Sequence, residues 1–221
     1  SDKKIVAFFG CKNITKSCMV NFTNQVSKID YLITIPPKIG DLNKVAGYMD
    51  LTTFAKKNKI KYYLANSYSL RDENDLDFIR NLNIDIAFAI GWQRLIPARI
   101  LDDVRVGVFG MHGSSDDLPK GRSRSPLNWA LIFGRKKFYT NLIKYGNNID
   151  GGGILDSHCF DINDDDTIET LHLKNMLSMN IIIKKNYQSI KNNDLKLRFQ
   201  DDQHATYFPK REPHDGMLDW T

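Results

Sequence analysis

Two side chains able to exchange protons frame the informative part of this chain. His112 follows the run Gly107-Val108-Phe109-Gly110-Met111, and Asp150 stands just before Gly151-Gly152-Gly153. An imidazole at the end of a buried strand can titrate near neutral pH and act as acid or base. A carboxylate in a glycine-rich loop can orient that imidazole, raise its pKa, or collect a proton through water. Gly113 and Gly151 to Gly153 allow close approach of the backbone to a ligand. Lys120, Arg122 and Arg124 offer donors for phosphate or carboxylate. Ser125-Pro126 starts a helix whose free N–H groups can face an anion. Taken singly, each has a plainer reading: a structural histidine, a turn-forming aspartate, a solvated basic loop. Their order and spacing give them weight together.

The elements that must position these residues alternate between strand and helix. Ile5 to Phe9 is a continuous apolar run, as expected for a strand buried on both faces. Asn13 to Val26 is helix-like, with Ile14, Cys18 and Phe22 four apart. Tyr31 to Ile35 reads as a strand stopped by Pro36-Pro37. Leu51 to Lys57 and Asp72 to Leu82 read as helices, with a short strand at Lys61 to Leu64 between them. Ile84 to Ile90 is the clearest strand, and Gly107 to Met111 the next. A helix over Pro126 to Phe133 starts with proline in its first turn. Two strands follow, Phe138 to Tyr145 and Ile154 to Phe160. Asp166-Thr167-Ile168-Glu169 resembles a capping box with Asp166 at the cap, opening a helix that carries Ile168, Leu171, Met176, Met179 and Ile183. The pattern breaks down after about Tyr187. This alternation predicts an α/β fold with a mostly parallel central sheet flanked by helices. A ligand site is expected beyond the carboxyl ends of its strands, just after Phe9, Ile90 and Met111.

The 221 residues, 42% hydrophobic, suffice for one domain with a sizeable core. We expect a domain over residues 1–190, with 191–221 as a linker or the start of a further extension. No run approaches the ~18 apolar residues of a membrane span, and the apolar run after Lys4 is too short for a signal-peptide core. Three cysteines without metal-ligand spacing suggest a reduced, cytoplasmic protein and no metal. Cys11 and Cys18, seven apart, suit one helix face. The net charge of +5 favours anionic partners only weakly, because lysine is spread through the chain.

The segment from residue 107 to 154 resembles the folate-dependent formyltransferase family, which includes methionyl-tRNA formyltransferase, glycinamide ribonucleotide transformylase and the sugar N-formyltransferases. The family pattern Asn-x-His-x-Ser is matched by Gly110-Met111-His112-Gly113-Ser114. Leu-Pro-x-x-Arg-Gly-x-x-Pro is matched by Leu118 to Pro126, and Asp-x-Gly-x-Ile by Asp150 to Ile154. Upstream, Asp85 to Pro97, with Ala89-Ile90-Gly91-Trp92 and Leu95-Ile96-Pro97, is similar to the family's strand and pterin-side loop. Downstream, Ala205 to Arg211 and Pro213 to Trp220 look like the linker that follows the catalytic domain in the tRNA and sugar branches. Two departures stand out. The family's asparagine is Gly110 here, and Ser115-Asp116-Asp117 lengthens the loop after Ser114.

The resemblance implies a Rossmann-like formyltransferase fold and N10-formyltetrahydrofolate as co-substrate, without a metal. His112 would hydrogen-bond the formyl oxygen and relay a proton to the departing folate nitrogen, with Asp150 holding His112 charged and collecting the amine proton. The pterin would lie near Ile90, Gly91, Trp92, Leu95, Tyr145, Ile149 and Gly151. Lys120, Arg122, Arg124 and Ser125 would receive the acceptor's phosphates. Because the family asparagine normally helps hold the formyl oxygen, Gly110 calls for another donor, such as the Asn128 amide or a backbone N–H; Ser114 is a further auxiliary candidate. The preferred acceptor is the amine of a nucleotide-linked amino sugar, the second choice initiator tRNA, and the third reading a catalytically weak homologue that binds folate or nucleotide. A homodimer is compatible with all three.

Overall fold

The computed structural model describes residues 3–115, 126–146 and 153–199. The elements in chain order are β1 (Val6–Phe9), α1 (Asn13–Gln25), β2 (Tyr31–Thr34), α2 (Pro37–Leu42), α3 (Thr52–Lys57), β3 (Lys61–Leu64), α4 (Glu73–Asn81), β4 (Ile86–Ala89), α5 (Ala98–Asp103), β5 (Gly107–Ser114), α6 (Pro126–Ile132), β6 (Lys137–Lys144), β7 (Gly153–Asp161) and α7 (Ile168–Lys191). The strands form one sheet in the order β3-β2-β1-β4-β5-β6-β7. Pairing is parallel from β3 to β5 and antiparallel from β5 to β7. The expected mostly parallel α/β sheet is therefore what the chain adopts.

The continuous apolar runs are explained by two cores, one on each face. Val6, Phe8, Ile86 and Phe88 point to one side, where Met19 and Phe22 of α1 and Ile182, Ile183 and Tyr187 of α7 cover them. Ala7, Phe9, Ala87 and Ala89 point to the other, against Leu76 and Ile79 of α4 and Ile100 of α5. Phe8, Phe22 and Phe88 meet with ring centroids 5.3 to 5.5 Å apart, and each buried ring contributes roughly 1.5–3 kcal/mol. Cys11 and Cys18 belong to opposite cores. The expectation of one helix face fails because α1 begins only at Asn13, after Cys11.

Two short helices, α2 and α5, were not expected from the sequence. Each has six residues and begins beside a proline, which fixes a helical first turn without leaving room for a periodic pattern. The cap of α7 is Thr167, one residue beyond the expected Asp166; its hydroxyl accepts from the Thr170 N–H, and the Thr170 hydroxyl accepts from the Thr167 N–H. Asp166 instead accepts from the Asn163 N–H at 2.7 Å and pairs with Lys174 at 2.6 Å. The helix also outlasts the apparent break at Tyr187, because Ile190 is buried in the first core. After it, Ile154 of β7 and Arg198 exchange backbone hydrogen bonds of 2.8 and 2.9 Å.

Candidate active site

β5 is where the parallel and antiparallel parts of the sheet meet, and its length creates the site. Gly107 to Gly110 pair with β4, and Phe109 to Ser114 pair with β6. β4 ends at Ala89, so Met111 to Ser114 have a strand neighbour on one side only. The chain leaving β4 turns away at Gly91, with φ of +73°, where a side chain would run into Thr15. His112 therefore lies within a strand, not after one as its sequence context suggested. It is still 9% exposed, because the strand beside it has stopped.

Beyond that step lies an open cleft of about 1020 Å³. Its floor is Met111, His112 and Gly113. One wall is the segment after β4, including Trp92, Arg94 and Leu95. A second is formed by Pro126 to Asn128 at the start of α6 and by His172, Asn175 and Met179 of α7. Tyr145 and Gly146 close it at the end of β6, and Ser69 and Arg71 reach in from the region after β3. The position is the one expected for a ligand site in such a sheet, at the carboxyl ends of the parallel strands. The described lining carries two arginines and two histidines and no carboxylate, a charge pattern suited to an anionic ligand.

Buried groups hold this floor and wall in place. Asn141 of β6 is wholly buried opposite His112. Its amide donates to the His112 carbonyl at 2.8 Å and lies 3.4 Å from the Ser114 hydroxyl, while its own oxygen accepts from the Ser157 hydroxyl at 2.6 Å. Leaving such a buried group unsatisfied costs about 1–3 kcal/mol, so the network fixes the backbone that carries the imidazole. The wall after β4 rests on Tyr68. The Gln93 N–H donates to its hydroxyl at 2.7 Å, its ring meets Trp92 at 4.7 Å, and the Arg94 guanidinium lies over its ring at 4.9 Å. Burial pushes the Tyr68 phenol well above its usual range. The indole N–H of Trp92 is buried without a hydrogen-bond partner among the described residues.

Of the residues singled out from the sequence, Trp92, Leu95, His112, Asn128 and Tyr145 come together around this cleft. Ile90 does not; it is buried in the core under α1 and α7. Gly91 forms the turn behind the wall, and Ser114 is fully buried beside Asn141. Asp150, Ile149, Gly151, Lys120, Arg122, Arg124 and Ser125 lie outside the described residues. Sequence reasoning missed Arg71, His172, Asn175 and the buried Asn141. Arg94 could have been found from its place between Trp92 and Leu95, but the others carry no local signal. Among the described residues, no group of three or more histidine, cysteine, aspartate or glutamate side chains is placed to hold a metal ion.

A floor histidine, a cationic lining and a partly aromatic wall can bind an anionic, ring-containing molecule and move a proton within it. Comparison with known proteins gives this arrangement a family. Residues 3–180 match the family described as formyl transferase. The bifunctional polymyxin resistance protein ArnA of Wigglesworthia glossinidia brevipalpis is 32% identical over 167 residues, which are 75% of this chain and 25% of that protein. Methionyl-tRNA formyltransferase of Fusobacterium nucleatum subsp. nucleatum is 26% identical over 212 residues, 94% of this chain and 66% of that protein. The chain thus spans a quarter of the first relative's length and just under two thirds of the second's. The crystal structure of WlaRD, a sugar 3N-formyl transferase in the presence of dTDP and 5-N-formyl-THF, superposes with a TM-score of 0.67 at 23% identity, covering 93% of this chain and 69% of that one. The fold, its cleft and the match across most of its length agree: this chain belongs to the formyl transferase family.

Proposed function

We propose that this protein transfers a formyl group from N10-formyltetrahydrofolate to a primary amine, most favourably that of a nucleotide-linked amino sugar. The observation that carries the reading is His112, its backbone held by a buried amide on the overhanging end of β5, in the lining of a cleft that carries two arginines. The folate supplies the formyl carbon. A bond forms between the amine nitrogen and that carbon, the bond to the folate nitrogen breaks, and the proton the amine loses replaces the formyl group on that nitrogen. His112 donates to the formyl oxygen as charge builds there and delivers the proton to the departing nitrogen. Asp150 keeps the imidazole charged and receives the amine proton, directly or through water. Trp92 and Tyr145 present ring surface to the pterin. Arg71 and Arg94 favour the anionic end of a folate or a diphosphate, and Lys120, Arg122, Arg124 and Ser125 take the acceptor's phosphates.

The sugar acceptor is preferred because WlaRD, alike over most of the fold, is a sugar formyl transferase crystallised with a nucleoside diphosphate. The likeness to methionyl-tRNA formyltransferase over 94% of the chain favours initiator tRNA as the second reading. A thermal-shift screen with 5-formyltetrahydrofolate, a panel of nucleotide-linked amino sugars and initiator tRNA separates them, since a ligand of the folded state raises its stability by mass action. Shifts with the folate and a nucleotide sugar are expected. A shift with the folate and tRNA alone selects the second reading, and no shift with the folate overturns both.

A further inference from the structure

We propose that the Tyr145 hydroxyl is a second hydrogen-bond donor, beside His112, to the oxygen of the transferred group; this rests on the formyl-transfer reading above. Gly110 and His112 are two residues apart on β5, so both positions face the same side of the strand. At Gly110 there is no side chain, and the place its Cβ would take is filled by the hydroxyl and ring edge of Tyr145. The strand pairing explains how that ring arrives. Ile143 lies opposite Gly110, and two residues later the Tyr145 N–H donates to the Val108 carbonyl at 2.8 Å. Alternation along β6 then puts Tyr145 on the face that Gly110 and His112 share.

Tyr145 and His112 both line the cleft. The Tyr145 hydroxyl over Gly110 and the imidazole of His112 thus belong to neighbouring same-face positions of β5. An oxygen bound between the two side chains can accept from both. A phenol keeps its proton at neutral pH, so this hydroxyl can donate to an oxygen on which negative charge develops. Gly110 and Tyr145 thus work as a pair. The glycine leaves room for a donor that β5 does not itself supply, and any larger residue there would push the ring aside.

The test is Tyr145→Phe, which keeps the ring and removes only the hydroxyl. Steady-state release of tetrahydrofolate should show kcat lower by about 100- to 1,000-fold, the usual effect of losing one oxyanion donor. KM for the folate and the melting temperature should stay close to wild type. Gly110→Ala, which adds a methyl group where the hydroxyl sits, should lose a similar factor. Combined with Tyr145→Phe, it should lose little more than Tyr145→Phe alone, because two changes acting through one contact do not add. A Tyr145→Phe protein with wild-type kcat, or with only a raised KM, overturns the proposal and leaves the formyl-transfer reading standing. A wild-type protein that neither binds 5-formyltetrahydrofolate nor releases tetrahydrofolate overturns both.

Discussion

Strands β1 and β4 are four residues long and buried throughout, whereas β5, β6 and β7 run for eight or nine residues and enclose polar side chains. In the parallel half, apolar side chains alternate into two cores and no polar side chain of β1 or β4 has to be satisfied. In the antiparallel half, Ser114, Thr140 and Asn141 are fully buried, and each requires a partner on a neighbouring strand or on α7. Burial of apolar area is non-directional and tolerant, while a buried hydrogen-bond network imposes a single geometry. The first half supplies stability, and the second holds His112 to one place.

That division can be broken by experiment. The largest effect is expected in the antiparallel half, where His112→Ala should lower kcat/KM by about 1,000-fold or more while circular dichroism and melting temperature stay close to wild type; Asp150→Ala should do the same. Normal release of tetrahydrofolate by either variant removes that residue from the mechanism. In the parallel half the reverse is expected. Phe88→Ala should cost about 3–5 kcal/mol in denaturant unfolding, as for other large-to-small core changes, with kcat per folded molecule retained; a kcat that fell in step with stability would erase the distinction between the halves. The smallest effect concerns the start of α7. The hydrogen bond from Lys174, the Asn163 N–H and the Thr170 hydroxyl bring the Asp166 carboxyl down to about 2 against the opposing effect of desolvation. A carboxyl with a depressed folded-state pKa stabilises above its unfolded value, near 4, and that contribution is lost as pH falls towards 2. Asp166→Asn should therefore melt below wild type at pH 5, and the gap should narrow as pH falls towards 2 and close below it.

The two halves also differed in how much of them could be read from sequence. β1 and β4 were legible because a strand buried on both faces must be apolar at every position, and Val6-Ala7-Phe8-Phe9 and Ile86-Ala87-Phe88-Ala89 leave no other reading. His112 was legible through its neighbours' order and spacing. The full length of β5 was not, since Gly113 and Ser114 have the composition of a loop and are held in the strand only by β6. Asn141 gave no signal because its partners, His112 and Ser157, are set by strand register rather than sequence distance. Tyr145 was named through the family resemblance, but its meeting with Gly110 is likewise set by strand register. The lining residues His172 and Asn175 sit on the polar side of α7, where sequence alone indicates nothing but contact with water.

The overhang of β5 has a mechanical meaning. A strand gripped on both edges shares any load between two ladders, but Met111 to Ser114 project past β4 like a beam clamped along one edge, with Asn141 and Ser157 as its bracket. The stiffness of the beam is then a property of β6 and β7 and not of the larger parallel framework. A disturbance on the outer strand, far from the cleft, reaches His112 through that bracket, while one of equal size at β2 must first cross the two firmly packed strands β1 and β4.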